Sequence, residues 1–153
     1  MRLDEIDKKI LAFLQEDASL TAQALAKKIN LSVTPCWRRL KRLSDEGYIV
    51  RKTAVLNARK LGLTLEVFVT VETMGHNEEW LDSFAQTMSA NEVVIGCYRI
   101  AGSVDYLLHT IHSDMDAYDL FYKQLTRLPE IKNVSALIVM EAIKQTTSLP
   151  IKG

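Results

Sequence analysis

The spacing of apolar residues changes near residue 60, and that change limits the chain to two unlike modules. Between residues 4 and 43 apolar side chains recur every three or four positions, the repeat of helices packed on one face. From Leu63 onward they alternate. Leu63, Leu65, Val67, Val69 and Val71 are interleaved with Thr64, Glu66, Thr70 and Glu72, with Phe68 alone out of pattern. That is the period of a strand with one covered face. Charge divides at the same place. Residues 1–60 hold thirteen Lys and Arg against seven Asp and Glu, whereas residues 61–153 hold six against twelve. A formal net charge of zero thus hides a basic front suited to a polyanion and an acidic back that would repel one.

Three helices are expected in the first module. Ile6, Ile10, Phe13 and Leu14 form the stripe of one from Asp4 to about Glu16. Leu25 and Ile29 mark a shorter one from Thr21 to Ile29. A tight turn at Asn30–Ser32 leads to the third, with Ser32 as N-cap, Pro35 in the first turn and Gly47 as the stop. In that helix Cys36, Leu40 and Leu43 share a face. Thr34, Arg38, Lys41 and Arg42 lie opposite, and Trp37 and Arg39 flank them. A helix with an apolar back, a basic front and small polar groups at its start suits a DNA major groove. Ser32, Thr34, Pro35, Arg38, Lys41 and Arg42 are the candidate contacts, with Arg38 or Arg42 able to pair bidentately with guanine. Arg39 is open to a phosphate or to an acidic neighbour such as Glu46, and Trp37 is assigned to packing rather than to stacking on a base. Tyr48–Val50 and Ala54–Leu56 are expected as two short strands around Arg51 and Lys52, either a phosphate-touching wing or an ordinary exposed hairpin. The bland alternative for the whole basic face is a solvated surface helix.

The second module follows as strand, helix, strand, strand, helix, strand. The helices are expected at Glu78–Ala90 and Met115–Leu128, and the later strands at Val93–Ile100, Asp105–His112 and Val134–Ala142, with turns at Met74–Asn77 and 101–104. The fold class is therefore α+β: an N-terminal winged helix-turn-helix over residues 1–56, a linker at 57–62, and a ferredoxin-like βαββαβ domain over 63–153. Two helices cover one face of such a sheet. The other face, carrying Phe68, Tyr98 or their alternating neighbours, calls for a second sheet, so a face-to-face dimer is expected.

Catalysis finds little footing. His109 and His112 are three apart on a strand and point to opposite faces, which makes no metal pair. Glycine-rich phosphate loops and paired-cysteine zinc patterns are missing from the sequence. No enzyme activity, metal or cofactor is expected. Cys36 and Cys97 are expected as reduced thiols. No apolar run approaches the ~20 residues of a membrane span, and the charged start lacks a secretory apolar segment, so the cytoplasm is the expected location.

These features together resemble the Lrp/AsnC, or feast/famine, family of transcription regulators, along essentially the whole chain. The carriers are Leu3-Asp4-Glu5-Ile6-Asp7-Lys8-Lys9-Ile10-Leu11, Leu31-Ser32-Val33-Thr34-Pro35-Cys36 and Arg39-Leu40-Lys41-Arg42-Leu43. Further on, Gly102-Ser103-Val104-Asp105-Tyr106 resembles the family's glycine-x-x-aspartate-tyrosine loop, and Val139-Met140-Glu141 with Lys144-Gln145 its C-terminal signature. The resemblance implies dimers that assemble into tetramers or octamers, double-stranded DNA as partner, and an amino-acid effector bound where dimers meet. The tail from Lys144 to Ile151, with Trp37, is similar to the branch that regulates cysteine breakdown. For the effector, the candidates are Ala101, Gly102, Ser103, Val104 and Asp105, with Tyr98 and the Thr146-Thr147-Ser148 tail as weaker additions. Backbone N–H groups at Gly102 and Ser103 would meet a carboxylate and Asp105 an ammonium. The alternative is a plain hairpin in which Asp105 caps the turn. The expected function is a sequence-specific regulator whose DNA binding or assembly responds to an amino acid. Its alternatives are a stand-alone metabolic sensor and a nonspecific chromosome-architectural protein.

Overall fold

The computed structural model describes residues 3–75 and 77–151. Its contacts divide the chain into two compact units. Residues up to 55, joined by those from 144 on, form the first, and residues 56–143 the second.

In the first unit α1 spans Glu5–Glu16, α2 Ala22–Lys28 and α3 Val33–Asp45. Asp4 starts α1 with a reciprocal cap: its carboxylate accepts from Asp7 N, and the Asp7 carboxylate accepts from Asp4 N. Thr21 caps α2 through Ala24 N. The turn into α3 depends on Asn30, which adopts φ +54° and lets Leu31 N donate to Ala26 O at 2.9 Å. Gly47, at φ +78°, closes α3 in the same way, with Tyr48 N donating to Leu43 O at 2.9 Å. Ile10, Leu11, Leu14, Leu25, Ala26, Cys36 and Leu43 form the buried core between the helices.

Two expectations change in this unit. No strand pairing forms among residues 48–57, so the two expected wing strands are irregular chain. The stretch Arg51-Lys52-Thr53 has none of the glycine or asparagine that a tight hairpin turn needs. The tail was expected with the second module, yet residues from 144 on group with the first. The Gln15 side-chain amide donates to Leu149 O at 3.1 Å and its oxygen accepts from Leu149 N at 2.5 Å, while Ile151 packs against the helical core.

The second unit opens with a 3-10 turn, Ala58–Leu61, closed by Gly62 at φ +80°. Then come β1 (Leu65–Thr73), α4 (Glu78–Ala90), β2 (Val94–Arg99), β3 (Tyr106–His112), α5 (Met115–Leu125) and β4 (Ile131–Ile138). His76, within the expected turn after β1, lies outside the described residues. The sheet order is β2-β3-β1-β4, all antiparallel, the ferredoxin-like arrangement. β4 lies earlier than expected. Glu130, at φ +62°, turns the chain directly after Pro129, and Met74 N donates to Glu130 O, so pairing starts at Ile131.

The alternation of β1 and β3 assigns the two sheet faces. Val67, Val69, Val71, Tyr106 and Leu108 lie under α4 and α5, packed against Trp80, Phe84, Met88, Phe121 and Leu125. Burying each large side chain contributes about 1.5–3 kcal/mol. Trp80 also donates its indole N–H to Pro129 O at 2.7 Å. The opposite face carries Phe68, Leu107, His109 and, through register, Tyr98 and Leu137. There the Phe68 and His109 rings stack at 4.4 Å, and His109 Nε2 meets Glu66 Oε1 at 2.5 Å. Among the described residues of this unit no helix covers this face, and Tyr98 and Leu137 are exposed.

Candidate nucleic-acid interface

α3 presents three sides. The inner side buries Cys36 and Leu43, with Leu40 half-buried beside them. Burial raises the Cys36 thiol above its ordinary pKa, consistent with a packing role.

The outer side carries Thr34, Trp37, Arg38 and Lys41, all exposed. Trp37 is 52% exposed, and the Lys41 ammonium lies 5.6 Å from its ring centroid. Ser32 occupies the N-cap position but makes no side-chain capping bond. Pro35 sits in the first helical turn, where an N–H would have no intrahelical acceptor. Beyond the outer side a cleft of about 380 Å³ separates α3 from residues 49–52. Trp37, Lys41, Ile49, Arg51 and Lys52 line it.

The third side faces the start of α1. Arg39 Nη1 lies 2.5 Å from Asp4 Oδ2 and 2.8 Å from Asp7 Oδ1, and Arg42 Nη2 lies 2.5 Å from Asp7 Oδ2. Asp7 is 1% exposed. A carboxylate so desolvated requires charged partners, and the two guanidiniums supply them. The hydrogen bonds that Arg39 donates to Asp4 and then to Asp7 raise its pKa further, so its charge is fixed. Asp4 is held below the usual carboxylate range, first by the Asp7 backbone N–H and then by Arg39.

The second unit's candidate loop joins β2 to β3. Ile100 N donates to Asp105 O at 3.0 Å, and Asp105 N donates to Val71 O at 2.9 Å. Asp105 Oδ2 accepts from Thr73 N at 2.7 Å and Thr73 Oγ1 at 3.0 Å. Ala101, Gly102 and Ser103 are exposed, Val104 is half-buried, and a Cβ placed on Gly102 would meet nothing within 4 Å.

Comparison with known proteins also gives two parts, the second of them running on into the tail. The winged helix-turn-helix DNA-binding family profile matches residues 3–50, and the Lrp/AsnC ligand binding domain profile matches residues 66–149. The DNA-binding transcriptional activator DecR of Escherichia coli K12 is 46% identical over 98% of this chain and 99% of its own. The chain belongs to the Lrp/AsnC family. It is a DNA-binding transcription regulator with a ligand-binding domain. The Glutamate uptake regulatory protein of Zymomonas mobilis is 39% identical over 98% of this chain and 92% of its own. Among solved structures, an AsnC family transcriptional regulator from Agrobacterium tumefaciens superposes with a TM-score of 0.92 at 44% identity, covering 97% of each chain. A transcriptional regulator–L-Met complex from Neisseria meningitidis gives 0.93 at 34% identity over 97% of each.

Within this Lrp/AsnC regulator the structure gathers Ser32, Thr34, Arg38 and Lys41 along one outer side of α3, with Arg51 and Lys52 across the cleft. It separates Arg39 and Arg42 from them. The acidic neighbours of Arg39 are Asp4 and Asp7, not Glu46. Arg42, placed by the helical wheel on the outer side, is turned toward α1 because buried Asp7 attracts it. Trp37, assigned to packing, is half in solvent. The signal for the ion cluster was present: arginines at i and i+3 on one helix match aspartates at i and i+3 on another. In the effector loop, Asp105 is tied to the end of β1 through Thr73, so an acceptor expected to face an ammonium secures the sheet. Gly96 was missed altogether. A Cβ there would lie 2.9 Å from Tyr98 Cε2, so the glycine makes room for the Tyr98 ring.

Proposed function

We propose that this regulator reads duplex DNA with the outer side of α3, using Ser32, Thr34, Pro35, Trp37, Arg38 and Lys41, while Arg51 and Lys52 approach phosphates. The exposed Thr34–Trp37–Arg38–Lys41 surface carries this reading. Arg38 is placed for a base edge, Lys41 and the uncapped Ser32 hydroxyl for phosphates, and Trp37 for a deoxyribose or a thymine methyl. The protein acts in the cytoplasm as a regulator and not as an enzyme. It pairs through the helix-free sheet face and assembles further into tetramers or octamers, which would set two recognition helices into successive major grooves. The exposed Tyr98 and Leu137 support pairing there.

The effector is an amino acid bound to the second unit, with the 101–105 loop and Tyr98 contributing. The Neisseria meningitidis neighbour in its L-Met complex supports this class of ligand. Sulfur-containing amino acids, methionine and cysteine, are the first to test. An electrophoretic titration with the fragment upstream of the protein's own coding region and a scrambled duplex, with and without these amino acids, tests the proposal. Preference for the genomic fragment, altered by an amino acid, is the expected result. Equal binding to both duplexes would replace it with an architectural role.

A further inference from the structure

α3 carries four cations within five residues: Arg38, Arg39, Lys41 and Arg42. If all four met phosphates, the helix would hold any duplex strongly. Each neutralised phosphate contributes a sequence-independent term, visible as a slope of about −0.9 in log affinity against log salt. The structure divides these cations. Arg38 and Lys41 are exposed, and among the described residues neither pairs with a carboxylate. Arg39 and Arg42 are held by Asp4 and Asp7.

We propose that Asp4 and Asp7 determine specificity by neutralising Arg39 and Arg42 inside the fold, which keeps two arginines of the recognition helix off the DNA backbone. The inference rests on the DNA-reading role of α3. Three observations carry it. The Asp7 carboxylate is 1% exposed and receives both guanidiniums, so releasing either leaves a desolvated charge behind. The arginine side chains keep 27% and 30% exposure, so they stand at the rim of the basic face and reach solvent once freed. Arg42 Nε is buried without a hydrogen-bond partner, so the side chain is positioned by the carboxylate at its tip. The two aspartates thereby lower the affinity for every duplex equally and leave discrimination to Arg38 and its neighbours.

The test compares full-length wild type with Asp4→Asn and Asp7→Asn on a genomic operator fragment and on an unrelated duplex across a salt series. Asparagine caps helices as well as aspartate, so Asp4→Asn retains the start of α1 and remains informative if Asp7→Asn unfolds. Asp7→Glu keeps the charge, and Glu16→Gln removes the same charge from α1 without freeing an arginine. The expected result is a several-fold rise in affinity for the unrelated duplex and a salt slope steeper by about 0.9 per arginine released. The operator preference should shrink, and both control variants should behave as wild type. An unchanged slope with intact folding overturns the specificity role and leaves the DNA reading standing. A slope that Glu16→Gln steepens equally also overturns it, because bulk charge would then explain the effect. A wild type that binds neither duplex overturns both this inference and the reading beneath it.

Discussion

Arg38 and Arg42 lie on one helix, four positions apart, and the fold gives them different partners. Arg38 faces outward, whereas Arg42 shares Asp7 with Arg39. Replacing Arg42 by alanine leaves the buried Asp7 carboxylate with one guanidinium instead of two. Since Arg42 is 30% exposed, water offsets part of that loss, and about 1–2 kcal/mol of stability should disappear. Thermal melting followed through Trp37 should show a fall of several degrees; an unchanged Tm would mean the pair contributes nothing to the fold. His112 offers a second case. It is 1% exposed, its Nε2 contacts Thr110 Oγ1 at 3.0 Å, and its ring packs edge-on against Tyr118. Desolvation lowers its pKa below the ordinary 6.5, with the Asp114 charge opposing the shift. Above pH 6.5 the imidazole is neutral both folded and unfolded, and its full contribution is present. As pH falls from 6.5 toward the depressed folded pKa, the unfolded chain takes up the proton first, so stability declines. Melting of the second unit, read from Trp80, should therefore be steeper in pH over this window for wild type than for His112→Leu. Equal slopes would remove His112 as the source.

Which helices and strands form was legible in the apolar spacing, because each buries one face against a single layer. α4 spans Glu78–Ala90 as expected, and β1 follows its predicted alternation. The shortfalls occur where long-range partners decide. β4 begins at Ile131 because the turn at Pro129-Glu130 and the end of β1 set its register, and neither is visible in the strand's own residues. The side of α3 taken by Arg42 depends on a carboxylate 35 positions away. A helical wheel assigns that arginine to solvent because charge prefers water when nothing pairs it. The tail is a third instance: its polar composition suggests a loose end, yet Gln15 grips Leu149 and Ile151 joins the first core. Ending the chain at Ser148 should lower the stability of the first unit by about 1–3 kcal/mol, from the apolar area lost. Trp37 fluorescence should report that loss while Trp80 melting stays fixed. A tail truncation that leaves both transitions unchanged would show that the strap is ornamental to folding.

The charge division in the sequence corresponds to the division of structure: helices with a basic outer side in one unit, an open sheet in the other. The sheet's uncovered apolar residues give the assembly proposal its own test. Leu137→Glu puts a charge on that face without entering the core under α4 and α5. Sedimentation should show a smaller species than wild type, and operator affinity should fall because paired heads no longer bind together. An unchanged assembly would place the self-contact elsewhere.

The outer side of α3 as the DNA-reading surface is tested most directly by Arg38→Ala. Wild type and variant should be titrated at one salt concentration against an operator fragment and a scrambled duplex. Wild type should prefer the operator by about 10³-fold or more, and the variant should lose about 10- to 100-fold of that preference, the worth of one bidentate base contact, with its Tm unchanged. An equal preference in the two proteins, or none in wild type, would contradict the account.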